Sequence, residues 1–158
     1  MAELNIRKAT VKDIPGLVKL LFEVQKVHSD ARPDLFISGS RKYTDDELKE
    51  ILHDETKPVF VADINGEVGG YAFCVISTPA SHTLQPIKNL YIDDLCVDEK
   101  FRGHHIGTEL YQYVLNYAKK IACYNVTLNV WADNKNAVKF YESIGLKIQK
   151  IGMEKILK

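Results

Sequence analysis

Phe101-Arg102-Gly103-His104-His105-Ile106-Gly107-Thr108 joins a hydrophobic run to an amphipathic one through a short, basic, glycine-containing turn. Beyond it, Ile106, Leu110, Tyr113, Val114, Tyr117, Ala118 and Ile121 recur at helical spacing, which predicts a helix from the end of the turn to about residue 121. The first amides of a helix have no intrahelical acceptor and the macrodipole puts positive potential there, so the turn is suited to an anion such as phosphate. Two familiar phosphate turns are excluded by their residue requirements. A P-loop needs Gly-Lys-Ser/Thr, which is absent. A dinucleotide fingerprint needs Gly-x-Gly-x-x-Gly after the first strand of its unit, and Gly103 and Gly107 have the wrong spacing.

Downstream, Asn134-Lys135-Asn136-Ala137-Val138-Lys139-Phe140-Tyr141-Glu142-Ser143-Ile144-Gly145-Leu146 sets apolar groups at 137, 140, 141 and 144 on one face of a short helix. Asn134 is suited to the N-cap and Gly145 to the left-handed residue that ends it. Upstream, Asn89-Leu90-Tyr91-Ile92-Asp93-Asp94-Leu95-Cys96-Val97 has apolar residues on both alternating faces, the pattern of a central, buried strand. Asp93 and Asp94 are costly there as unpartnered ions. Strand neighbours face opposite ways, so the two are expected to do different jobs.

The other segments read in order. Leu4 to Ala9 alternates as a strand, and Ile14, Leu17, Val18, Leu21, Phe22 and Val24 mark a helix that begins near Thr10 to Pro15 and ends near Ser29. Thr44-Asp45-Asp46-Glu47 has the form of a capping box opening a second helix. Val59 to Ile64 and Val68 to Ile76 flank Asn65-Gly66, a strong hairpin signal. Pro79 to Lys88 is long for a connection and suggests an overhang above a site. A strand from Asn125 to Trp131 and a final antiparallel pair, Leu146 to Lys150 and Met153 to Leu157, complete the pattern. Together these predict an α/β (α+β) fold, a single domain over residues 1–158 with a mixed, mostly antiparallel central sheet of about six to seven strands and helices on both faces.

Composition bounds the function. With 158 residues, 46% hydrophobic and 27% charged, the chain suits one globular domain with a sizeable core. No segment reaches the ~18 apolar residues of a membrane span, and Met1-Ala2-Glu3 lacks a signal-peptide core, so the expected location is the cytoplasm. Cys74, Cys96 and Cys123 lie in apolar surroundings and read as reduced thiols. A formal net charge of zero argues against nucleic acid as a partner. His104 and His105 have no Cys or carboxylate partner at zinc-site spacing, so no metal is expected, and His104 reads on its own residues rather as an exposed turn residue with no role.

The Arg102-Gly103-His104-His105-Ile106-Gly107 turn resembles the acyl-CoA pyrophosphate loop of the GCN5-related N-acetyltransferase (GNAT) family, Gln/Arg-x-x-Gly-x-Gly/Ala, with His105 where the family commonly has its first glycine. The Asn134 segment is similar to the family's Asn-x-x-Ala-x-x-Phe-Tyr-x-x-x-Gly-Phe element, with Leu146 for the final aromatic. Tyr91-Ile92-Asp93-Asp94 is similar to the Tyr-Leu-Glu-Asp run of diamine acetyltransferases.

The resemblance implies a GNAT-like acyl-CoA fold and transfer of an acetyl group from acetyl-CoA to a primary amine by direct attack. Arg102, Gly103, His104, His105, Ile106, Gly107 and Thr108 would hold the pyrophosphate. Leu95 and Val97 would offer backbone groups to the pantetheine arm in a gap opened by a bulge, and Asn134 would reach that arm while capping its helix. Tyr141 would be the general acid toward the departing thiolate. Asp93 would draw the proton from the amine, directly or through water, or else be structurally satisfied. Cys96, without a neighbouring base, is a poor acyl carrier. His28, Asp30, Arg32, Asp34 and Phe36 would wall the acceptor side. The Asp93-Asp94 pair suggests a diamine or polyamine acceptor, with a peptide or protein amine as the rival. The family's habit also allows a homodimer through the last strands. The reading from another class is a non-catalytic acyl-CoA-binding sensor.

Overall fold

Strands β2, Val59–Ile64, and β3, Glu67–Ser77, turn on Asn65 and Gly66, both at positive φ (52° and 86°). That is the backbone a two-residue hairpin needs to match strand twist. In the computed structural model, which describes residues 3–158, this hairpin lies inside a five-stranded sheet whose spatial order follows chain order. Met1 and Ala2, part of the N-terminus read above, lie outside the described residues. Strand β1 is Leu4–Lys8 and pairs antiparallel with β2; β4 is Asn89–Val97 and pairs antiparallel with β3. Strand β5, Asn125–Leu128, joins β4 in parallel. A parallel pair needs a crossover, supplied here by helix α3, Ile106–Lys120.

Helices cover both faces. Helix α1, Ile14–Ala31, and helix α2, Asp45–Leu52, set Leu17, Leu20, Leu21 and Leu48 against Val59, Val61, Tyr71, Phe73 and Cys96. Thr44 and Glu47 form the expected reciprocal cap of α2. On the opposite face, Tyr111, Val114 and Ala118 of α3 meet Phe60, Ala72, Cys74, Leu90 and Ile92. Helix α4, Lys135–Ser143, is capped by Asn134, whose side chain accepts from the Ala137 amide at 3.2 Å, and ends at Gly145 with φ 102°.

Two expectations are corrected. The sheet has five strands among the described residues rather than six or seven, and β5 stops at Leu128 instead of reaching Trp131. The shortened β5 is the cause. It offers a ladder of four residues, so the segment beyond Leu146 forms no strand and leaves Ile148, Met153 and Leu157 exposed. Its tie to the domain is Glu154, ion-paired to Arg32 at the end of α1. The stretch from Pro79 to Lys88 is irregular and mostly exposed, as its prolines suggest. No described helix is long and apolar enough to cross a membrane.

The central strand pair is also tight. A Cβ on Gly70 would lie 2.8 Å from the Cys96 carbonyl oxygen, a backbone atom held by the β3–β4 ladder. Gly70→Ala is expected to cost about 1–3 kcal/mol. Thermal unfolding should register this as a drop of roughly 2–4 °C per kcal/mol for a domain of this size.

Candidate active site

The site begins with a flaw in β4. Phe73 of β3 pairs with Asp94, but the next residue, Cys74, pairs with Ile92, leaving Asp93 as an inserted bulge residue. Ile92 is also the last residue of β4 paired with β5, opposite Leu128. Past the bulge, β4 runs on to Val97 with no strand among the described residues on its outer side. The Asp98 amide donates to Gly69 of β3 at 2.8 Å. Alternate strand residues direct their backbone groups to the same neighbour, so Cys96 shares this orientation. Leu95 and Val97 therefore turn their N–H and C=O toward the gap.

The turn that follows β4 closes one end of that gap. Asp98, buried, accepts from the Lys100 amide at 3.1 Å and from Lys19 Nζ at 3.2 Å, fixing the short turn Glu99–Phe101. Arg102 reaches back to the Val97 carbonyl at 3.4 Å. Gly103 has φ 85°, and His105, preceding the first residue of α3, has φ 62° in the left-handed region. The position where the related loop commonly has glycine thus does adopt the backbone that glycine takes freely, and His105 holds it with a Cβ present. No side chain caps α3 at this end, so its first amides stand open. His104 and His105 are both exposed. A Cβ at Gly107 would meet Phe140 Cζ at 3.3 Å, so this glycine lets α4 pack against the start of α3.

The bulge overturns the expectation that Asp93 and Asp94 face opposite ways. Ile92 packs on the α3 side, so Asp93 turns toward α1 and α2; Asp94, opposite Phe73, turns the same way. Each carboxylate has its own partners. Asp93 Oδ2 accepts from Tyr43 Oη at 2.6 Å and from Lys42 Nζ at 2.9 Å. Asp94 Oδ2 accepts from the buried Tyr71 Oη at 2.8 Å. Burial holds Asp94 above the ordinary carboxylate range, against the opposing pull of Tyr71 and Lys42. Tyr141, on α4, is pushed up to about 12, first by burial and then by the negative charge of Asp94. Cys96 is likewise pushed up to about 12 by burial, so it stays a neutral thiol.

The α1–α2 connection supplies the far wall. His28 stacks on Phe36 with centroids 4.8 Å apart, and Phe36 meets Trp131 edge-on at 5.4 Å. Asn134, on the same side, lines a small cavity with Trp131 and Phe36. Sequence reasoning did not find Lys42, Tyr43, Tyr71, Asp98 or Trp131. Asp98 had a legible signal, a capping residue just after a strand. The others reach the site through the tertiary fold alone.

The profile of the acetyltransferase (GNAT) family matches residues 24–146. The chain belongs to the GNAT acetyltransferase family. It is 28% identical to glucosamine 6-phosphate N-acetyltransferase of Arabidopsis thaliana, over 98% of each chain. It is also 25% identical to an uncharacterised N-acetyltransferase of Methanocaldococcus jannaschii, covering 93% of this chain but spanning only 62% of that relative. Among solved structures, the BH1408 protein of Bacillus halodurans superimposes with a TM-score of 0.92 at 32% identity, covering 98% of this chain and 99% of that one. An aminoglycoside N-acetyltransferase solved with CoA shares the fold, at a TM-score of 0.73 and 15% identity over 100% of this chain and 97% of the other. As a GNAT protein, the chain is an acetyl-CoA-dependent acyltransferase.

Two stability measurements bear on this geometry. Replacing His105 by Gly relieves a left-handed side chain, and equilibrium unfolding should rise by up to about 1 kcal/mol. Burial raises Asp94 in the folded acetyltransferase above its ordinary value, so between its ordinary and its folded value the folded state binds more protons than the unfolded one. Stability therefore falls as pH rises through that window and is highest below it. Asp94→Asn, which still accepts from Tyr71, should raise the Tm at pH 7–8. That gain should shrink toward zero as the pH is lowered to about 4.

Proposed function

We propose that the protein transfers the acetyl group of acetyl-CoA to a small primary amine by direct attack, with Asp94 drawing the amine proton and Tyr141 acting as acid. The observation that carries this reading is the bulge at Asp93, beyond which the Leu95 backbone and the Val97 amide face the gap, and which turns two carboxylates toward the same wall. The gap fits a pantetheine arm lying as a further strand, its thioester carbonyl accepting from a β4 amide. The diphosphate would sit on the open amides from Gly103 to Thr108 beside Arg102, with His104 and His105 at its edge. Asn134, already committed to capping α4, would meet the arm.

The resemblance gave the base role to Asp93; we infer that Asp94 is better suited. Both Lys42 and Tyr43 occupy Asp93 Oδ2, whereas Asp94 accepts from Tyr71 alone and burial raises it above its ordinary value, which makes it the stronger proton acceptor of the two. Asp93 would then support the base from the adjacent position, and a water relay through it is the competing route. Asp94 and Tyr141 are also coupled. The negative charge of Asp94 helps raise Tyr141, so when Asp94 takes the amine proton that repulsion goes and the phenol becomes a better donor. Asp94 accepts one proton as the C–N bond forms, Tyr141 gives one to the sulfur as the C–S bond breaks, and the two groups then re-equilibrate.

The relative from Arabidopsis, named for glucosamine 6-phosphate, supports a small amine over a protein amine. A homodimer is supported by the exposed apolar side chains of Ile148, Ile151, Met153 and Leu157. The free thiols of Cys74, Cys96 and Cys123 support the reducing cytoplasm as its location.

Thiol release from acetyl-CoA with a panel of amines tests the reaction. Tyr141→Phe should lower kcat by ~10²-fold or more with little change in the KM for acetyl-CoA. Asp94→Asn should do the same, and Asp93→Asn should cost roughly tenfold or less. An unchanged kcat in Tyr141→Phe removes the acid assignment, and a larger loss in Asp93→Asn than in Asp94→Asn returns the base role to Asp93. Binding of CoA without turnover of any amine would leave an acyl-CoA-binding module.

A further inference from the structure

The stretch between β4 and α3 carries a contradiction of charge. No amide from Gly103 to Thr108 finds an acceptor among the described residues, which is the condition a diphosphate needs. Yet the residue that opens this stretch is an acid, Asp98, only 4% exposed. A poorly solvated carboxylate beside an anion site repels the anion unless its own charge is cancelled.

Asp98 is the joint of three elements. Its amide donates to the Gly69 carbonyl of β3 at 2.8 Å, and its own carbonyl accepts from the Phe101 amide at 2.9 Å. Its side chain accepts twice, Oδ1 from the Lys100 amide at 3.1 Å and Oδ2 from Lys19 Nζ of α1 at 3.2 Å. Burial works against ionisation here, but the Lys100 amide and Lys19 outweigh it and hold the carboxyl below its ordinary range. Glu23, on the same face of α1 as Lys19, answers the other way: burial and then the negative charge of Asp98 push it up, and the recorded partner of Lys19 is Asp98. Other contacts place the turn without capping it. A Cβ at Gly69 would lie 2.9 Å from Phe101 Cδ2, so that ring lies flush on β3, and Lys100 Nζ pairs with Glu67 at 2.6 Å on the surface. The Lys100 amide itself has no acceptor among the described residues but Asp98.

We propose that Asp98 and Lys19 are a matched positioning pair for the diphosphate of CoA: the Asp98 carboxylate presets the turn so that Arg102 and the open amides beyond it can share one anion, and Lys19 cancels the charge that would otherwise repel that anion. This rests on the reading of the turn as the acyl-CoA diphosphate site. The pair acts through the turn and not on the reacting atoms, so its effect belongs to cofactor affinity.

The test is the Kd of CoA, by calorimetry, beside that of pantetheine, which has the arm and the thiol but no diphosphate, by NMR titration. Asp98→Ala should weaken CoA by about tenfold and leave pantetheine within ~2-fold. Asp98→Asn, whose amide oxygen can still accept from the Lys100 N–H, should keep CoA within ~3-fold. Lys19→Met should weaken CoA by about fivefold, and adding Asp98→Asn to it should recover most of that loss, because no uncompensated charge is then left. Equal losses for CoA and pantetheine in Asp98→Ala, or a Lys19→Met loss that Asp98→Asn does not relieve, overturn the proposal. Should Asp98→Ala not fold, Lys19→Met, Asp98→Asn and their combination decide. None of these measurements needs turnover: CoA binding without acetyl transfer would sink the reaction and leave the pair to be judged by the Kd ratios, whereas no CoA binding to the unmodified protein sinks both.

Discussion

One extra residue in β4 governs the site. Asp93 stands opposite no residue of β3, and a strand with such an insertion bends and twists more sharply. Beyond it β4 leaves β5, whose ladder ends at Leu128. Unpaired main-chain groups inside a sheet are costly unless something meets them. Here they open onto a gap whose rim is the uncapped start of α3. The same insertion resets the side-chain alternation, so two acidic residues that an ordinary strand would separate come to share one wall.

That sharing sets two carboxylates in different surroundings over a short span. Asp93 is met by a cation and a phenol, Asp94 by a phenol alone. Two like groups with different surroundings are a recurrent arrangement for separating roles in acid–base chemistry. The arrangement works against folding stability, because a carboxylate in poorly solvated surroundings favours its neutral form. The well-filled layers of Leu17, Leu20, Leu21 and Leu48 beneath it make the strain tolerable.

Local signals carried the elements well. The Asn65-Gly66 turn, the Thr44 to Glu47 cap, the Asn134 cap and the Gly145 stop each appear in the structure with the backbone their residue types favour. The turn after Phe101 was legible because an amphipathic helix follows it. The orientation of Asp94 was not, since a bulge changes side-chain parity and leaves no mark in hydrophobic spacing. Tyr71 and Lys42 were equally hidden: one is a buried strand residue 23 positions from its partner Asp94, the other a loop residue 51 positions from Asp93. The last strands were expected because Leu146 and Ile148 alternate with polar residues like a strand, and alternation cannot report whether a neighbouring edge is long enough to receive it.

The parallel pairing of β4 with β5 has a kinetic corollary. Asn89 and Asn125 lie 36 residues apart and are bonded side chain to side chain. Their ladder cannot form until the whole crossover through α3 has been closed, an entropic cost incurred before any contact repays it. The cleft beside that ladder therefore belongs to the late stages of chain assembly. A molecule that occupies it recognises the finished domain and no earlier species, and so adds its full binding free energy to the native side of the folding equilibrium.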